Sequence, residues 1–274
     1  NLWLWLWVLV PALMVVAVSF ATRDPEHLVQ WRFSLDSYRQ LLDPLYLSVF
    51  WDSLWLAGIT TLICLAVGFP FAWWLSRVAL RWRILALFLL VIPFWTNSLI
   101  RTYAIKLLLG KQGLINGALL GLGVIDSPLD MLYTSGAVIC GLVYILLPFM
   151  VLPLYSNLEK LDNSLLEAAR DLGANSVQVF YRIVIPLTLP GIIAGVLMVF
   201  LPAMCMFYIS DLLGGAKNLL LGNIIRNQFL SSMDWPFGAA LSIAMTVVMA
   251  ALMLAYYQAA KMINRAGGLR DTAL

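Results

Sequence analysis

The chain reads as an all-α integral membrane protein with six transmembrane helices, and three observations carry that reading. Its 274 residues are 62% hydrophobic and only 11% charged, against about 45–50% apolar and about 25% charged in soluble domains. Apolar runs long enough to cross ~30 Å of hydrocarbon as helices recur along its length. Eleven Trp and ten Tyr supply amphipathic rings of the kind that collect at membrane interfaces.

Composition also excludes several classes of function. The net charge of +3 is small and the basic residues form no stripe, so nucleic acid is not an expected partner. Cys64, Cys140 and Cys205 each lie within an apolar run and form no C-x-x-C pair, which favours small buried hydrophobes over a metal site or disulfides. The single histidine, His27, lies in a polar loop. No catalytic cluster and no metal site are expected. A G-x-x-x-x-G-K-[ST] loop is absent from the sequence, so ATP would have to be bound by another chain.

Taken in order, the first apolar run is residues 2–20. It resembles a signal peptide in position only, because no basic region precedes it, no small-residue cleavage site follows and the run is too long. The chain starts at Asn rather than Met, so a native N-terminal tail is expected before it. Residues 21–52 are polar, with Asp24, Glu26, Asp36, Asp43 and Asp52. The second span, about 53–76, is interrupted by Gly68 and Pro70 and followed by a basic loop with Arg77, Arg81 and Arg83. The third, about 84–107, holds Pro93 and then the polar patch Trp95-Thr96-Asn97-Ser98 before Arg101. A Gly-rich loop is expected over 110–134, then a fourth span over 135–155 with Pro148 and Pro153. The fifth span, about 187–210, starts at Pro190-Gly191, and a polar segment over 211–235 leads to the sixth at about 236–258. The division that follows is a first helix with an external segment (1–52), a membrane-spanning core (53–258) containing a polar loop (156–186), and a basic tail (259–274).

Lys and Arg set the orientation. The 77–83 loop, the 156–186 segment and the tail hold nine of the seventeen basic residues, and the three opposite loops hold six. Short flanking loops dominate topology, so both termini and the polar loop are expected in the cytoplasm. No internal repeat is visible, which counts against transporter folds built from inverted halves.

The polar loop carries a short amphipathic helix. Ser164 and Glu167 read as a capping box, Leu165, Leu166, Ala168, Ala169 and Leu172 form an apolar flank, and Gly173 sits where helices end in a left-handed residue. A second short helix is expected over Ser176 to Ile185. So short a helix is marginal alone and needs a groove, either on its own chain or on a partner. Two alanines allow close backbone approach, and Glu167, Arg170 and Asp171 can pair with charges on a rim.

Glu167-Ala168-Ala169, Gly173, Ile183 and Ile185-Pro186 resemble the EAA loop of bacterial ABC importer permeases, E-A-A-x3-G-x9-I-x-L-P, departing only by Ile185 for Leu. The runs LLDPLY (41–46), IPFWTNSLIR (92–101), LVYILLPFMVLPLY (142–155), LEAARDLGA (166–174), PLTLPGIIAG (186–195), SDLLGGAKNLLLGN (210–223) and DWPFGAA (234–240) are similar to B-type permeases of spermidine/putrescine importers. The resemblance implies a type I ABC importer fold in the bacterial inner membrane. It implies a homologous second permease, two ATPase subunits that hold ATP and Mg, and an external polyamine-binding protein. No cofactor would belong to this chain. Glu167, Ala168, Ala169, Arg170, Asp171 and Gly173 would form the coupling helix seated in the ATPase groove.

A polyamine is a flexible chain of ammonium groups and calls for carboxylates, aromatic faces and polar acceptors. Tyr208, Ser210 and Asp211 on the fifth span meet that need, with Phe207 nearby; in a helix Tyr208 and Asp211 share a face. Asp211 as a mere helix end at the outer interface is the competing reading. Trp95, Thr96 and Asn97 line the same path or serve as an aromatic belt with helix–helix hydrogen bonds. Arg101 and Lys106 are expected to snorkel, Tyr144 and Phe149 to pack in the core, and Asp234 to cap the sixth span or contact the outside. The alternatives are an ABC permease for another small solute such as an amino acid or anion, a secondary transporter, which should show intramembrane acid or His relays, and a membrane enzyme, which should show a clustered reactive set.

Overall fold

The computed structural model describes residues 2–24, 28–215 and 218–271; Glu26, His27 and Lys217 lie outside the described residues, as do the side chains of Lys261, Arg265 and Arg270. Almost everything described is helical. The order is α1 (Leu2–Ser19), a hairpin of β1 (Thr22–Asp24) and β2 (Leu28–Gln30), α2 (Asp36–Gln40), α3 (Pro44–Leu75), α4 (Leu80–Val91), α5 (Ser98–Leu109), α6 (Leu114–Gly121), α7 (Ser135–Leu158), α8 (Asn163–Asp171), α9 (Ser176–Val179), α10 (Ile185–Cys205), α11 (Phe207–Ile209), α12 (Leu221–Leu230) and α13 (Trp235–Asp271). The hairpin is antiparallel, with Arg23 opposite Val29.

Four helical stretches are long and apolar enough to cross a membrane: Pro44–Leu75, Ser135–Leu158, Ser176–Cys205 and Trp235–Leu254. α1 is a further apolar helix of 18 residues. The expected third span differs most from expectation. It is a broken pair, Leu80–Trp95 and Ser98–Gly121, bent by 97°. Pro93 opens the break, a 3-10 turn covers Ile92–Trp95, Thr96 is extended, and Asn97 starts the next helix by accepting from the Leu99 amide at 2.8 Å. Arg83, at the start of α4, donates to Glu159, just past the end of α7, at 2.9 Å. The two ends therefore share one membrane face. Since α7 crosses once, the pair must cross once too, and it is a broken span rather than a re-entrant loop.

The chain divides into two compact units. The first comprises residues 1–55, 204–211 and 215–274. In it α1 and α12 pack on α13, Tyr46 meets Phe237 with ring centroids 4.8 Å apart, and the Ser53 hydroxyl accepts from the Leu221 amide at 3.0 Å. Gly222 lies against the Cys205 carbonyl, so close that a Cβ would sit 2.3 Å from its oxygen.

The second unit, residues 56–203 and 212–214, has its core along α7, where Leu142, Leu146, Met150, Val151 and Leu154 are fully buried. Small residues let backbones close on it. A Cβ on Gly68 of α3 would meet the Met150 side chain at 3.1 Å, and one on Gly195 of α10 would meet its sulfur at 2.7 Å. Asn116 is buried and ties the loop after α6, donating to the Gly110 and Leu129 carbonyls and accepting from the Leu129 amide at 2.9 Å.

Several boundaries shift for local reasons. α3 begins at Pro44, nine residues before the expected span, because Pro needs no hydrogen bond at the first helical position and the Asp43 carboxylate accepts from the Leu45 amide at 2.9 Å. Asp52 is therefore helical, not part of a loop. The expected loop over 110–134 contains α6, and the polar segment over 211–235 contains α12. α13 runs on to Asp271, past the expected end near residue 258. The short helix expected over Ser176 to Ile185 is instead the foot of the fifth span, joined to α10 through a π-helical turn over Phe180–Val184. The wider turn suits Pro186, which cannot donate back into the helix.

Candidate functional site

α8 is a nine-residue helix bounded by polar turns. The Ser164–Glu167 capping box does not form. The Asp162 side chain caps the helix instead, accepting from the Ser164 amide at 2.9 Å. That bond holds the Asp162 carboxyl below the usual carboxylate range. The reciprocal box lies one helix later, where Asn175 accepts from the Gln178 amide at 2.8 Å and Gln178 accepts from the Asn175 amide at 3.0 Å.

The C-terminus closes as the glycine predicted. Gly173 has φ +84°, its amide donates to Arg170 O at 2.8 Å, and the Ala174 amide donates to Ala169 O at 3.0 Å. These are the paired bonds of a Schellman turn. They reverse the chain sharply so that Ser176 starts the next helix.

Of the α8 side chains only Leu166 is buried. Glu167, Ala168, Arg170 and Asp171 are exposed and Ala169 is half-buried. Leu165 is exposed, and Leu172 is 89% exposed. Leu165, Ala168 and Leu172 are spaced i, i+3, i+7, which makes an apolar stripe turned away from the chain and flanked by two acids. An amphipathic helix presenting such a stripe fits a groove on another protein. Sequence reasoning counted the leucines as one apolar flank; burial separates Leu166, which faces its own chain, from Leu165 and Leu172, which do not.

The expected path residues fall in different units. In the first, α10 ends at Cys205 and Met206 breaks the helix. Phe207–Ile209 and a π-helical turn over Ser210–Gly214 then replace the single helix expected there. Both carboxylate oxygens of Asp211 are taken, one by the Arg226 guanidinium and the other by the Asn223 amide. The Arg226 guanidinium also lies 5.1 Å from the Phe207 ring centroid, and the rings of Phe207 and Tyr208 meet edge-on at 6.0 Å. Tyr208 is half-buried. Ser210 is fully buried and donates to the Asn218 carbonyl. Arg226 and Asn223, on α12, went unnoticed in the sequence because nothing local links them to a residue twelve or fifteen positions earlier.

In the second unit Trp95 is 78% exposed and meets Phe88 edge-on at 6.0 Å. Asn97 is committed to capping α5. The Arg101 guanidinium sits 5.2 Å from the Phe94 ring centroid, and Lys106 lies 5.8 Å from that of Tyr133, so aromatic faces hold both cations. Tyr144 and Phe149 are partly exposed. Asp234 caps α13 through the Phe237 amide at 3.1 Å and also faces Arg23 at 3.8 Å.

Comparison with known proteins fits this geometry. The chain is 58% identical over 263 residues to the spermidine/putrescine transport system permease protein PotB of Escherichia coli, covering 96% of each chain. It is 56% identical over 263 residues to PotB of Haemophilus influenzae, covering 96% of this chain and 92% of that one. It is 32% identical to the inner membrane ABC transporter permease YdcU of E. coli, over 81% of this chain and 74% of that one. The fold matches a crystal structure of a bacterial alginate ABC transporter with TM-score 0.77 at 16% identity, covering 96% of this chain and 91% of that one. The family of binding-protein-dependent transport system inner membrane components matches residues 2–266, and the chain belongs to that family.

Proposed function

We propose that this chain is the membrane-spanning permease subunit of an ATP-driven importer for polyamines, forming the path together with a homologous second permease. The observation that carries the substrate class is 58% identity over nearly the whole chain to permeases of spermidine/putrescine systems. The exposed stripe on α8 supports the coupling role: an ATPase subunit takes Leu165, Ala168 and Leu172 into its groove and pairs with Glu167 and Asp171. Two such subunits bind ATP and Mg, this chain hydrolyses nothing, and an external binding protein delivers the substrate. Both termini and α8 lie in the cytoplasm, supported by the basic 77–83 loop.

For the path, Asp211 and Tyr208 offer a carboxylate and a ring, with Arg226 already in place as counter-ion. A substrate ammonium reaches Asp211 only by exchanging with that guanidinium. An importer of an anion would have no use for such a carboxylate.

The test is reconstitution with both ATPase subunits, the second permease and the binding protein. Spermidine-loaded binding protein should raise ATP hydrolysis, while binding protein loaded with an amino acid should not; no stimulation in a fully assembled complex overturns the polyamine reading. Asp211→Asn should lower uptake about tenfold while the complex still assembles. Unchanged uptake returns Asp211 to a structural role.

A further inference from the structure

Behind α8, on the side opposite its exposed stripe, the second unit holds a cavity of about 400 Å³ lined by Trp73, Arg77, Leu166, Arg170, Phe180 and Tyr181, among others. No acidic side chain lines it. Arg77 and Arg170 both face into it, and among the described residues neither guanidinium has a carboxylate within ion-pair range. Arg77 rests 3.7 Å from the Trp73 ring centroid. Burial, and then the charge of Arg170, lower its affinity for its proton. Two like charges lining one cavity that has no acidic side chain make a site for an anion.

The surroundings select the anion. Arg77 lies two residues beyond the end of α3 at Leu75, at the level of the membrane interface, and Trp73 and Tyr181 are interfacial rings. Val179, Phe180 and Val184 give the cavity an apolar wall. A guanidinium pair matches phosphate oxygens, and an apolar wall beside it matches an acyl chain. On α8, Leu166 and Arg170 are i, i+4 and serve this cavity, whereas Glu167 and Asp171 do not line it.

We propose that Arg77 and Arg170 bind the phosphate of an anionic phospholipid from the cytoplasmic leaflet, tying α8 and the foot of the fifth span to the membrane. The proposal rests on the cytoplasmic placement of α8. Basic pockets on the cytoplasmic side of membrane proteins recruit such head groups.

The assembled importer, in nanodiscs mixing phosphatidylcholine and phosphatidylglycerol, is examined by native mass spectrometry for retained lipid. Wild type should retain phosphatidylglycerol over phosphatidylcholine. Arg77→Gln and Arg170→Gln should each lower that retention about fivefold, the Arg77→Lys/Arg170→Lys double variant should restore most of it, and Arg81→Gln, the same charge change outside the cavity, should leave it unchanged. Equal losses with Arg81→Gln, or full retention in the Arg77→Gln/Arg170→Gln double variant, overturn the site. Displacement of phosphatidylglycerol by inorganic phosphate overturns the lipid as its ligand. Loss of the ATPase subunits from Arg170→Gln with lipid retention intact assigns that arginine to the partner and overturns the proposal too. Retention is read without transport, so a wrong substrate class would leave these results untouched.

Discussion

Single residues at the ends of α8 decide whether it exists as a helix. Gly173 was legible from sequence because only glycine takes a left-handed turn without steric cost, about 1–2 kcal/mol for other residues. The N-terminal cap was misread because Asp162 and Ser164 are both good capping residues and spacing cannot choose between them. The distinction has a pH signature. Asp162 titrates below its unfolded value near 3.9, so its contribution is fully present above that value and is lost as pH falls through the lower folded pKa. Hydrogen-exchange protection of the first α8 amides should therefore fall on acidification from about pH 5 to about pH 3. Asp162→Asn, which still caps, should remove that dependence. The Asp211–Arg226 pair shows the opposite limit of legibility, since a hydrogen bond across a break and a reversal leaves no trace in local spacing.

At the scale of elements, apolar periodicity located the long helices, and polar or proline-containing turns misplaced their ends. Polar residues in the first turns of α3 satisfy their hydroxyls on the helix itself, as Ser48 does with Leu45 O and Ser53 with Val49 O, both at 2.7 Å. Composition alone places Ser48 in the polar segment before the span and Ser53 at the span's first position. The break at Pro93 was visible as a proline and a polar patch, but its 97° bend was not, because the angle is set by what α4 and α5 each pack against. For α8, Leu172→Asp should weaken retention of the ATPase subunits by about tenfold or more, since the docking proposed above would bury this side chain and the variant puts an unpaired charge there. Because Leu172 is 89% exposed in this chain, the variant should leave the thermal stability of the isolated permease unchanged. Subunit pull-down and a melting curve measure the two effects separately.

For the molecule as a whole, the Arg83–Glu159 contact constrains topology more firmly than the charge count did. It requires the 77–83 loop and the loop before α8 to share a face whatever the tilt of individual helices. In cells carrying single cysteines on a background with Cys64, Cys140 and Cys205 replaced by Ala, Arg81→Cys and Lys160→Cys should both resist an impermeant external thiol reagent, and Gln112→Cys should react. Labelling of Arg81→Cys but not Lys160→Cys would break the broken-span topology. The helix from Ser176 to Cys205 then acquires mechanical meaning. Thirty residues at ~1.5 Å each make a strut of about 45 Å. The π-helical turn, Pro186 and Pro190 are crowded into its lower half, directly after the α8 turn, and Pro202 lies near the other end. Compliance is thus concentrated at the foot, and the stiff part is the stretch 191–201 between the prolines. Beyond the π-helical turn α10 extends 21 residues, about 32 Å, so a swing of ~10° there displaces its far end by about 5.5 Å. In the coupling role proposed for α8, a small push at the foot would emerge as a larger stroke across the bilayer.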